Sequence, residues 1–306
     1  MTGLRYHLPP DRAVITVAGE DRQAFLQGLI SNDTAKITPD RAIYATLLTA
    51  QGRFLFDLFI VGEADRYLVD CATPRRADLI KRLTMYKLRS KVTIADADAD
   101  WCVVLLFGDG ALDRIGQGAG TAAAFGNGVA YVDPRLPDLG VRLVLPRMTA
   151  RETLEGLSAV EDPDGAAYHR HRIALGVPDA ARDLTPEKSI LLENGFDELN
   201  AIDWQKGCYM GQELTARTRY RGLVRKRLLP VRIEGGAPAP GTPLMLGEQE
   251  LGEMRSASAD GTLGLAMVRL EALAQTQSPT LSAGETKLSP VVPGWMRLPE
   301  LDDAKA

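Results

Sequence analysis

The sequence predicts an α+β protein built from more than one packed unit, and three observations support this. A chain of 306 residues is longer than one ordinary core accommodates. In its first hundred residues, strand patterns outnumber helical ones and do not alternate with them as a βαβ fold requires. From residue 224 onward, short apolar runs are separated by Pro, Gly and Asp-Gly turns, which predicts a small all-β, barrel-like unit.

The elements of the first hundred residues follow from local patterns. Residues 12–19, RAVITVAG, are predicted to form a strand, and residues 19–31 a helix with Asp21 as its N-cap. Residues 42–49 and 53–62 are two apolar runs joined by the turn-forming AQG, which indicates a hairpin. The next three elements are a strand, a helix that starts at Thr73-Pro74 and another strand, at residues 66–72, 73–88 and 91–98.

A second stretch, residues 99–165, begins with the buried strand WCVVLLF and then becomes rich in glycine. The fragment GQGAG at residues 116–120 is faintly similar to a dinucleotide-binding loop. Its glycines have the wrong spacing, however, and no suitable helix follows. A surface loop that leads into the strand VAYVD, residues 129–133, is the preferred interpretation.

The composition limits the classes of partner. Hydrophobic residues make up 45% of the chain and charged residues 25%, and the net charge of −4 gives no general electrostatic case for nucleic acid. The longest apolar run, roughly VVLLF within WCVVLLF, is much shorter than the ~18 residues that a membrane-spanning helix needs. The N-terminal residues show no basic-then-apolar signal pattern. We therefore expect neither a nucleic-acid nor a membrane partner.

The three cysteines form no CxxC or Cys/His spacing, so neither a disulfide framework nor a structural zinc site is predicted. Cys71 and Cys102 lie in apolar, strand-like runs and are expected to be inert core thiols. Sparse, unpaired thiols are typical of a reducing compartment, and we expect a cytoplasmic location.

Cys208 has a different setting, KGCYMGQELTARTRYRG, in which glycines flank the thiol and arginines follow it, so we expect this thiol to be exposed. A cation about 6 Å from a thiolate contributes about 2–3 kcal/mol at an effective dielectric constant of about 20, before solvent screening. Lys206 and the arginines therefore favour the thiolate, the form that acts as a nucleophile or metal ligand. Gly207 and Gly211 allow backbone N–H groups to face an anion or ligand. A turn with an idle cysteine is the alternative.

Arg217 and Arg221 are predicted to share a face whichever secondary structure they adopt. They are four residues apart, which places them together on a helix and also on one side of a strand. Two guanidinium groups side by side suit carboxylates or phosphates. A solvated charged face is the alternative interpretation.

The histidines do not predict a catalytic or metal site. His169 and His171, in YHRHR, fall on different faces of a helix, and no third ligand is near them in the sequence. Three histidines in total and the absence of a GxSxG motif argue against a Ser/His hydrolase.

Residues 206–213, KGCYMGQE, followed by LTAR, resemble the KGC[FY]xGQE signature of the YgfZ family. These are folate-binding proteins implicated in the assembly or repair of iron–sulfur enzymes. They are related to the aminomethyltransferase, or T-protein, of the glycine cleavage system. The resemblance extends to three further runs, and it is weakest between residues 105 and 165. The runs are VAGEDRQAFLQGLISND, TAQGRFLFDLFIV and the segment from RIALGVP to the signature.

The resemblance implies a T-protein-like ring of three units around a central channel that holds tetrahydrofolate or a derivative. Two intertwined α/β subdomains would form residues 1–222, the second at roughly 99–165, and a C-terminal β-barrel would form residues 223–306. By this resemblance, Glu193 is at the position of the glutamate that contacts the pterin in relatives. A carboxylate suits that role, since it can accept two parallel hydrogen bonds from the pterin. Asp57 lies near the acid that T-proteins use in methylene transfer, although they carry paired aspartates where this chain has Phe56-Asp57.

The resemblance further implies that the signature and the arginines bind the cofactor, with Arg217 or Arg221 meeting the glutamate tail of folate. The expected cofactor-binding residues are Glu193, Lys206, Gly207, Tyr209, Gly211, Gln212, Glu213, Arg217 and Arg221, and the expected catalytic residues are Cys208 and Asp57.

The leading functional hypothesis is a folate-binding accessory protein for 4Fe–4S enzymes, with iron–sulfur assembly proteins or client enzymes as partners. Cys208 would be a transient cluster ligand or a redox thiol. A second hypothesis is a tetrahydrofolate-dependent aminomethyl or methyl transferase that depends on Asp57. The third is an RNA-interacting protein, because the family is linked to tRNA modification and the arginine run gives local support. A binding module without chemistry is also open.

Overall fold

The computed structural model describes residues 3–113, 115–222, 224–275 and 279–298. The chain divides into two compact units that are each discontinuous in sequence. The first comprises Met1–Gln51, Leu55–Tyr168 and Leu199–Gln212, and the second Gly52–Phe54, His169–Glu198 and Glu213–Ala306.

The first unit contains two sheets. The five-stranded sheet has the order β3-β4-β5-β2-β6, and the six-stranded sheet has the order β11-β1-β7-β10-β9-β8, where β1 and β11 pair in parallel. Each sheet packs against its own apolar cluster, one centred on Ile15, Leu58 and Ile60 and the other on Val104, Ala130 and Leu143. The strands are β1 (Leu4–His7), β2 (Arg12–Ala18), β3 (Ile43–Leu48), β4 (Phe54–Gly62), β5 (Arg66–Ala72), β6 (Thr93–Asp96), β7 (Trp101–Gly108), β8 (Ala122–Phe125), β9 (Gly128–Val132), β10 (Val141–Pro146) and β11 (Val160–Glu161).

The second unit is built on a closed six-stranded barrel with the order β12-β15-β14-β13-β16-β17. Closure pairs β12 with both β15 and β17, so neither of those edges is left open. The short strands separated by Pro and Gly turns are thus those of a barrel, as predicted from residue 224 onward. Its strands are β12 (Lys226–Glu234), β13 (Pro243–Leu246), β14 (Gln249–Ala257), β15 (Leu263–Arg269), β16 (Leu281–Ala283) and β17 (Thr286–Pro290).

Helices are short in the described part of the chain, and none is long and apolar enough to cross a membrane. The α-helices are α1 (Arg22–Gln27), α2 (Arg76–Lys87), α3 (Arg147–Glu155), α4 (Ala166–Ala174), α5 (Ala180–Asp183), α6 (Gln212–Tyr220) and α7 (Leu270–Gln275). Single turns of 3₁₀ helix lie at Thr34–Lys36, Thr73–Arg75, Pro137–Leu139 and Leu192–Asn194.

For the first unit, the hairpin and the helix start are confirmed, but the length and capping of the first helix differ from the prediction. The hairpin across AQG is β3–β4, and Thr73-Pro74 opens the 3₁₀ turn that leads into α2. The helix predicted over residues 19–31 is only the six-residue α1. Asp21 precedes it but makes no side-chain cap, because its Oδ2 instead accepts a hydrogen bond from the Lys91 backbone N–H at 2.7 Å.

Candidate functional site

The segment from Asp203 to Gly211, which we call the Cys208 loop, is anchored to the first unit by the buried side chain of Lys206. The Lys206 Nζ donates to the carbonyl oxygens of Gln27, Ile30 and Asn32 at 2.9, 2.5 and 2.8 Å. An ammonium group has three donors, and all three are used here. Burial lowers the pKa of Lys206 to about 8, although the charges of Asp33 and Asp203 oppose the shift. Lys206 therefore has a structural role and no donor left for folate or for the thiolate.

Further contacts hold the loop before and after Lys206. The Asp203 carboxylate accepts hydrogen bonds from the backbone N–H groups of Gln205 and Lys206 and pairs with Lys36 at 2.6 Å. After the cysteine, the Tyr209 ring is buried with the Lys206 ammonium 5.0 Å from its centroid. The Met210 N–H then donates to the Gly28 carbonyl at the end of α1. The loop is thus pinned on both sides of Cys208.

Cys208 is exposed, whereas Cys71 and Cys102 are buried, as the sequence predicts for all three. Burial raises the pKa of Cys71 to about 12 and also raises that of Cys102, so neither thiol ionises near neutral pH. Among these cysteines, Cys208 is the one that an outside reactant can reach.

The helix that follows the loop begins at Gln212. Gly211 precedes it with φ +81°, a conformation that favours glycine. The Tyr209 N–H donates to the Gln212 side-chain oxygen at 3.4 Å, and the Gln212 N–H donates to the Tyr209 carbonyl. A Cβ added at Gly207 would meet nothing within 4 Å, so the fold itself does not demand glycine there. The signature therefore contains one glycine required by the backbone and one that is not.

Arg217 lies on α6 and Arg221 is the first residue after it, so the helical alternative is the correct one up to Tyr220. Arg217 pairs with Glu213 at 2.7 Å, one helical turn away, and both side chains are at least half exposed. The Arg221 N–H continues the helical hydrogen-bond pattern to the Arg217 carbonyl. This ion pair joins two of the residues that the sequence assigns to cofactor binding.

Glu193 lies in the second unit, on the 3₁₀ turn Leu192–Asn194, with its side chain 12% exposed. Its carboxylate is 3.6 Å from the Lys226 Nζ, which is longer than a normal hydrogen bond. Burial raises the pKa of Glu193, and the charges of Lys226, Arg53 and Arg255 offset this only in part. Glu193 is therefore a largely buried carboxylate near three cationic side chains.

Asp57 is buried in the first unit and belongs to a network of charged side chains between its two sheets. The Arg12 guanidinium donates to Asp57 at 3.1 Å and to Asp70 at 2.6 Å. Arg142, on the other sheet, also binds Asp70 and reaches Asp133 at 3.5 Å. The structure therefore gives Asp57 an ion-pair partner within the core in place of an open catalytic position.

Sequence reasoning missed this network, which is completed by Arg135 on Asp133. The guanidinium groups of Arg12, Arg135 and Arg142 also lie over the Phe59 ring, with the Arg142 Cζ 3.7 Å from the ring centroid. Asp57, Asp70 and Arg142 each lie in a largely apolar strand, and such a run does not show which residue pairs with its charge. An Arg or Asp inside an otherwise apolar strand was the available signal, because such residues are rarely buried unpaired.

The histidine pair provides no metal centre. The His169 ring bonds the Ala257 carbonyl through Nε2 and the Arg172 guanidinium through Nδ1. Burial and the charge of Arg172 lower the pKa of His169 to about 4. In the part of the chain that the structure describes, no three His, Cys, Asp or Glu side chains are grouped to hold a metal ion.

The predicted site residues divide between the units. Asp57 and residues 206–212 belong to the first, and Glu193, Glu213, Arg217 and Arg221 belong to the second. Two family models match these parts of the chain. The GCVT N-terminal domain model matches residues 12–125, and the model described as the CAF17 C-terminal beta-barrel domain matches residues 225–298.

Among curated proteins, the chain is similar to iron–sulfur cluster assembly factors named IBA57. It is 32% identical to the mouse and human proteins, and each match covers 93% of this chain and 83% of the relative. The homologue from Mycosarcoma maydis is 37% identical, and there the match covers 76% of this chain but only 58% of the relative.

Among solved structures, the aminomethyltransferase T of the glycine cleavage system from Bartonella henselae is similar. The TM-score is 0.76 at 16% sequence identity, and the match covers 95% of this chain and 85% of that one. At this identity the likeness shows the fold alone. Together with the barrel, it confirms the predicted aminomethyltransferase-like fold class.

The comparisons support one expectation in part and contradict another. The relatives are named IBA57, so the resemblance to the YgfZ family holds only at the coarser level of related assembly factors with this fold. The relatives are also named mitochondrial, so the expectation of a cytoplasmic location is wrong. That expectation rested on free thiols, which indicate a reducing compartment but do not say which one.

Proposed function

Because the chain belongs to the IBA57 family of iron–sulfur cluster assembly factors, we propose that it supports assembly of 4Fe–4S enzymes through the thiolate of Cys208. One observation carries the proposal: Cys208 is exposed on a loop whose flanking residues are fixed. A thiol held out on an anchored loop can meet a second protein without the loop having to become ordered first. The entropic cost of ordering the loop when the partner binds is therefore smaller.

One exposed thiol cannot hold a cluster alone, so a partner protein is required. A cluster needs several thiolates, and Cys71 and Cys102 are buried. The cluster is therefore cargo shared with a protein that supplies the other ligands. Cys208 gives up its proton when its sulfur coordinates iron, and it recovers a proton when the cluster moves on.

Folate binding is the second part of the proposal and rests on Glu193. A pterin presents an amino group and a ring N–H side by side, and one carboxylate can accept both. Glu193 fits this role because its carboxylate is largely shielded from water and its contact with the Lys226 Nζ, at 3.6 Å, is longer than a normal hydrogen bond. Arg217 and Arg221 remain the proposed partners of the anionic tail, and Arg217 would have to exchange its surface pair with Glu213. Such exposed pairs are worth about 0–1 kcal/mol, so the exchange is easy.

The proposal is tested by complementation. Cells that lack the protein receive the wild type, Cys208→Ser or Cys102→Ala, and the activity of a 4Fe–4S enzyme is compared with that of an enzyme without a cluster. We expect Cys208→Ser to lower the 4Fe–4S activity at unchanged protein abundance, while Cys102→Ala retains it because that thiol is sealed in the core. Full activity of an abundant Cys208→Ser protein would remove the thiol from the mechanism.

A further inference from the structure

The end of α2 and the turn after it form a surface that the proposed function does not use. We call residues 81–91 the α2 tip. Between residues 79 and 95 the chain has no Asp or Glu, although its net charge is −4. Its five cations are Lys81, Arg82, Lys87, Arg89 and Lys91, of which Lys91 pairs with Glu20 at 2.6 Å. The tip is therefore a local cationic surface on an acidic protein, which attracts an anionic partner.

Apolar side chains project from the same surface. Leu88 is 88% exposed, and Met85 and Tyr86 are 67% and 38% exposed. Leu88 has φ 46° and ψ −110°, and the Ser90 N–H donates to the Lys87 carbonyl across it at 2.8 Å. This is the geometry of a type II′ turn, whose second residue is normally glycine. A leucine is thus kept in solvent at a position where glycine would relieve strain, which indicates a role for its side chain.

The α2 tip and the Cys208 loop are attached to opposite ends of one helix. The Lys91 N–H binds the Asp21 carboxylate just before α1, and the Met210 N–H binds the Gly28 carbonyl just after it. Seven residue steps of helix span about 10 Å. A protein interface of ordinary size buries about 800 Å² on each partner, which is wide enough to cover both attachment points.

We propose that the α2 tip is the docking surface for an acidic protein that supplies the remaining ligands to a cluster at Cys208. The inference rests on the proposed function for the identity of the partner. A shallow, open depression beside Leu88 is lined by Asp21, Leu88, Arg89 and Ser90. A protein surface can match this relief, because it can receive the projecting leucine and fill the depression beside it.

The test titrates the full-length protein with purified iron–sulfur carrier proteins of net negative charge from the same source, one at a time, by calorimetry. We expect one of them to bind with salt-dependent affinity. Lys87→Glu with Arg89→Glu, and separately Leu88→Gly, are each expected to weaken that binding by about tenfold or more. Leu88→Gly is the sharper variant, because glycine suits the turn and the melting temperature should not fall.

The matched control is Met148→Asp with Arg151→Glu, an equally exposed apolar and cationic pair on α3. We expect it to bind like the wild type. Failure of every carrier to bind, or binding that the tip variants leave unchanged, would overturn the proposal. So would tip-dependent binding to vesicles of phosphatidylcholine and phosphatidylserine without carrier binding, since that assigns the tip to a membrane.

A Cys208→Ser protein separates this inference from the proposed function. Cluster-free carrier should still bind it through the tip, because docking does not need the thiol. If Cys208→Ser abolishes support of 4Fe–4S enzymes while the tip variants bind normally, docking at the tip is wrong and the proposed function stands. If the tip variants lose binding while Cys208→Ser is fully active, the thiol is excluded from the mechanism and the docking surface remains.

Discussion

The Nζ of Lys206 lies 2.5 Å from the carbonyl oxygen of Ile30. Ile30 is one of three residues at and just after the end of α1 whose carbonyl groups bind this ammonium. The residue that looked like a cation for a thiolate is instead the pin that holds the Cys208 loop on the first unit. Its nearest partners in space are about 175 residues earlier in the sequence, as the separation of 176 from Ile30 shows. No local pattern could predict that contact.

Removing this pin should destabilise the protein and loosen the loop. Lys206→Met leaves three carbonyl groups without their donor, and unsatisfied buried acceptors cost about 1–3 kcal/mol each when water cannot replace the partner. We expect a loss of about 2–5 kcal/mol in the free energy of unfolding by urea, and faster hydrogen exchange at the Met210 amide. Lys36→Met removes a 44%-exposed partner of Asp203 and should cost under about 1 kcal/mol. Equal losses in the two variants would contradict the pinning role.

The same lysine should give a measurable dependence of stability on pH. Its pKa is about 8 in the folded chain against an ordinary value of 10.5. Between these values the unfolded chain binds more protons than the folded one, so stability rises with pH in that interval. We expect the free energy of unfolding of the wild type to increase relative to Lys206→Met from about pH 8 to 10.5. A constant difference across the interval would show that Lys206 titrates normally.

The fold and the site were predictable to different depths. Apolar runs and turn residues predicted the hairpin β3–β4, the barrel strands and the burial of Cys71, because these depend on neighbours in sequence. The exposed position of Cys208 followed from its glycines and charges in the same way. The carbonyl site of Lys206 and the ion pair of Asp57 depend on residues brought together by the sheets, so periodicity carries no information about them.

The two glycines of the signature should respond differently to alanine. Gly211 has φ +81°, where an L side chain costs about 1–2 kcal/mol. Gly207 has open space around its Cβ position. We expect Gly211→Ala to lower the free energy of unfolding by about 1–2 kcal/mol and Gly207→Ala to leave it unchanged. If Gly207→Ala nevertheless fails to support 4Fe–4S enzymes in cells, a ligand or partner approaches the backbone there.

Asp57 should matter for stability. Breaking a buried ion pair leaves a charge uncompensated, which costs about 3–5 kcal/mol. We expect Asp57→Asn to reduce the free energy of unfolding by about 3 kcal/mol, because Arg12 keeps only Asp70 as a partner. The matched control, Asp65→Asn, removes an 84%-exposed carboxylate and should have little effect. A stable Asp57→Asn protein with altered folate-dependent turnover would restore the catalytic assignment.

Glu193 offers a test of folate binding that depends on its protonation state. Only the carboxylate accepts both pterin hydrogen bonds, and burial raises the pKa of Glu193 above its ordinary value of 4.5. As the pH falls toward that raised pKa, the acid takes up a proton and loses acceptor capacity. We therefore expect the affinity for tetrahydrofolate, measured by calorimetry, to decline on acidification before an ordinary glutamate would titrate. Glu193→Gln should bind more weakly, with an affinity that no longer changes over this interval, because an amide does not titrate.

Arg151→Glu, remote in sequence and 92% exposed, should keep the wild-type profile. Tight binding by Glu193→Gln with an unaltered pH profile would show that the pterin, if bound, is recognised by another group.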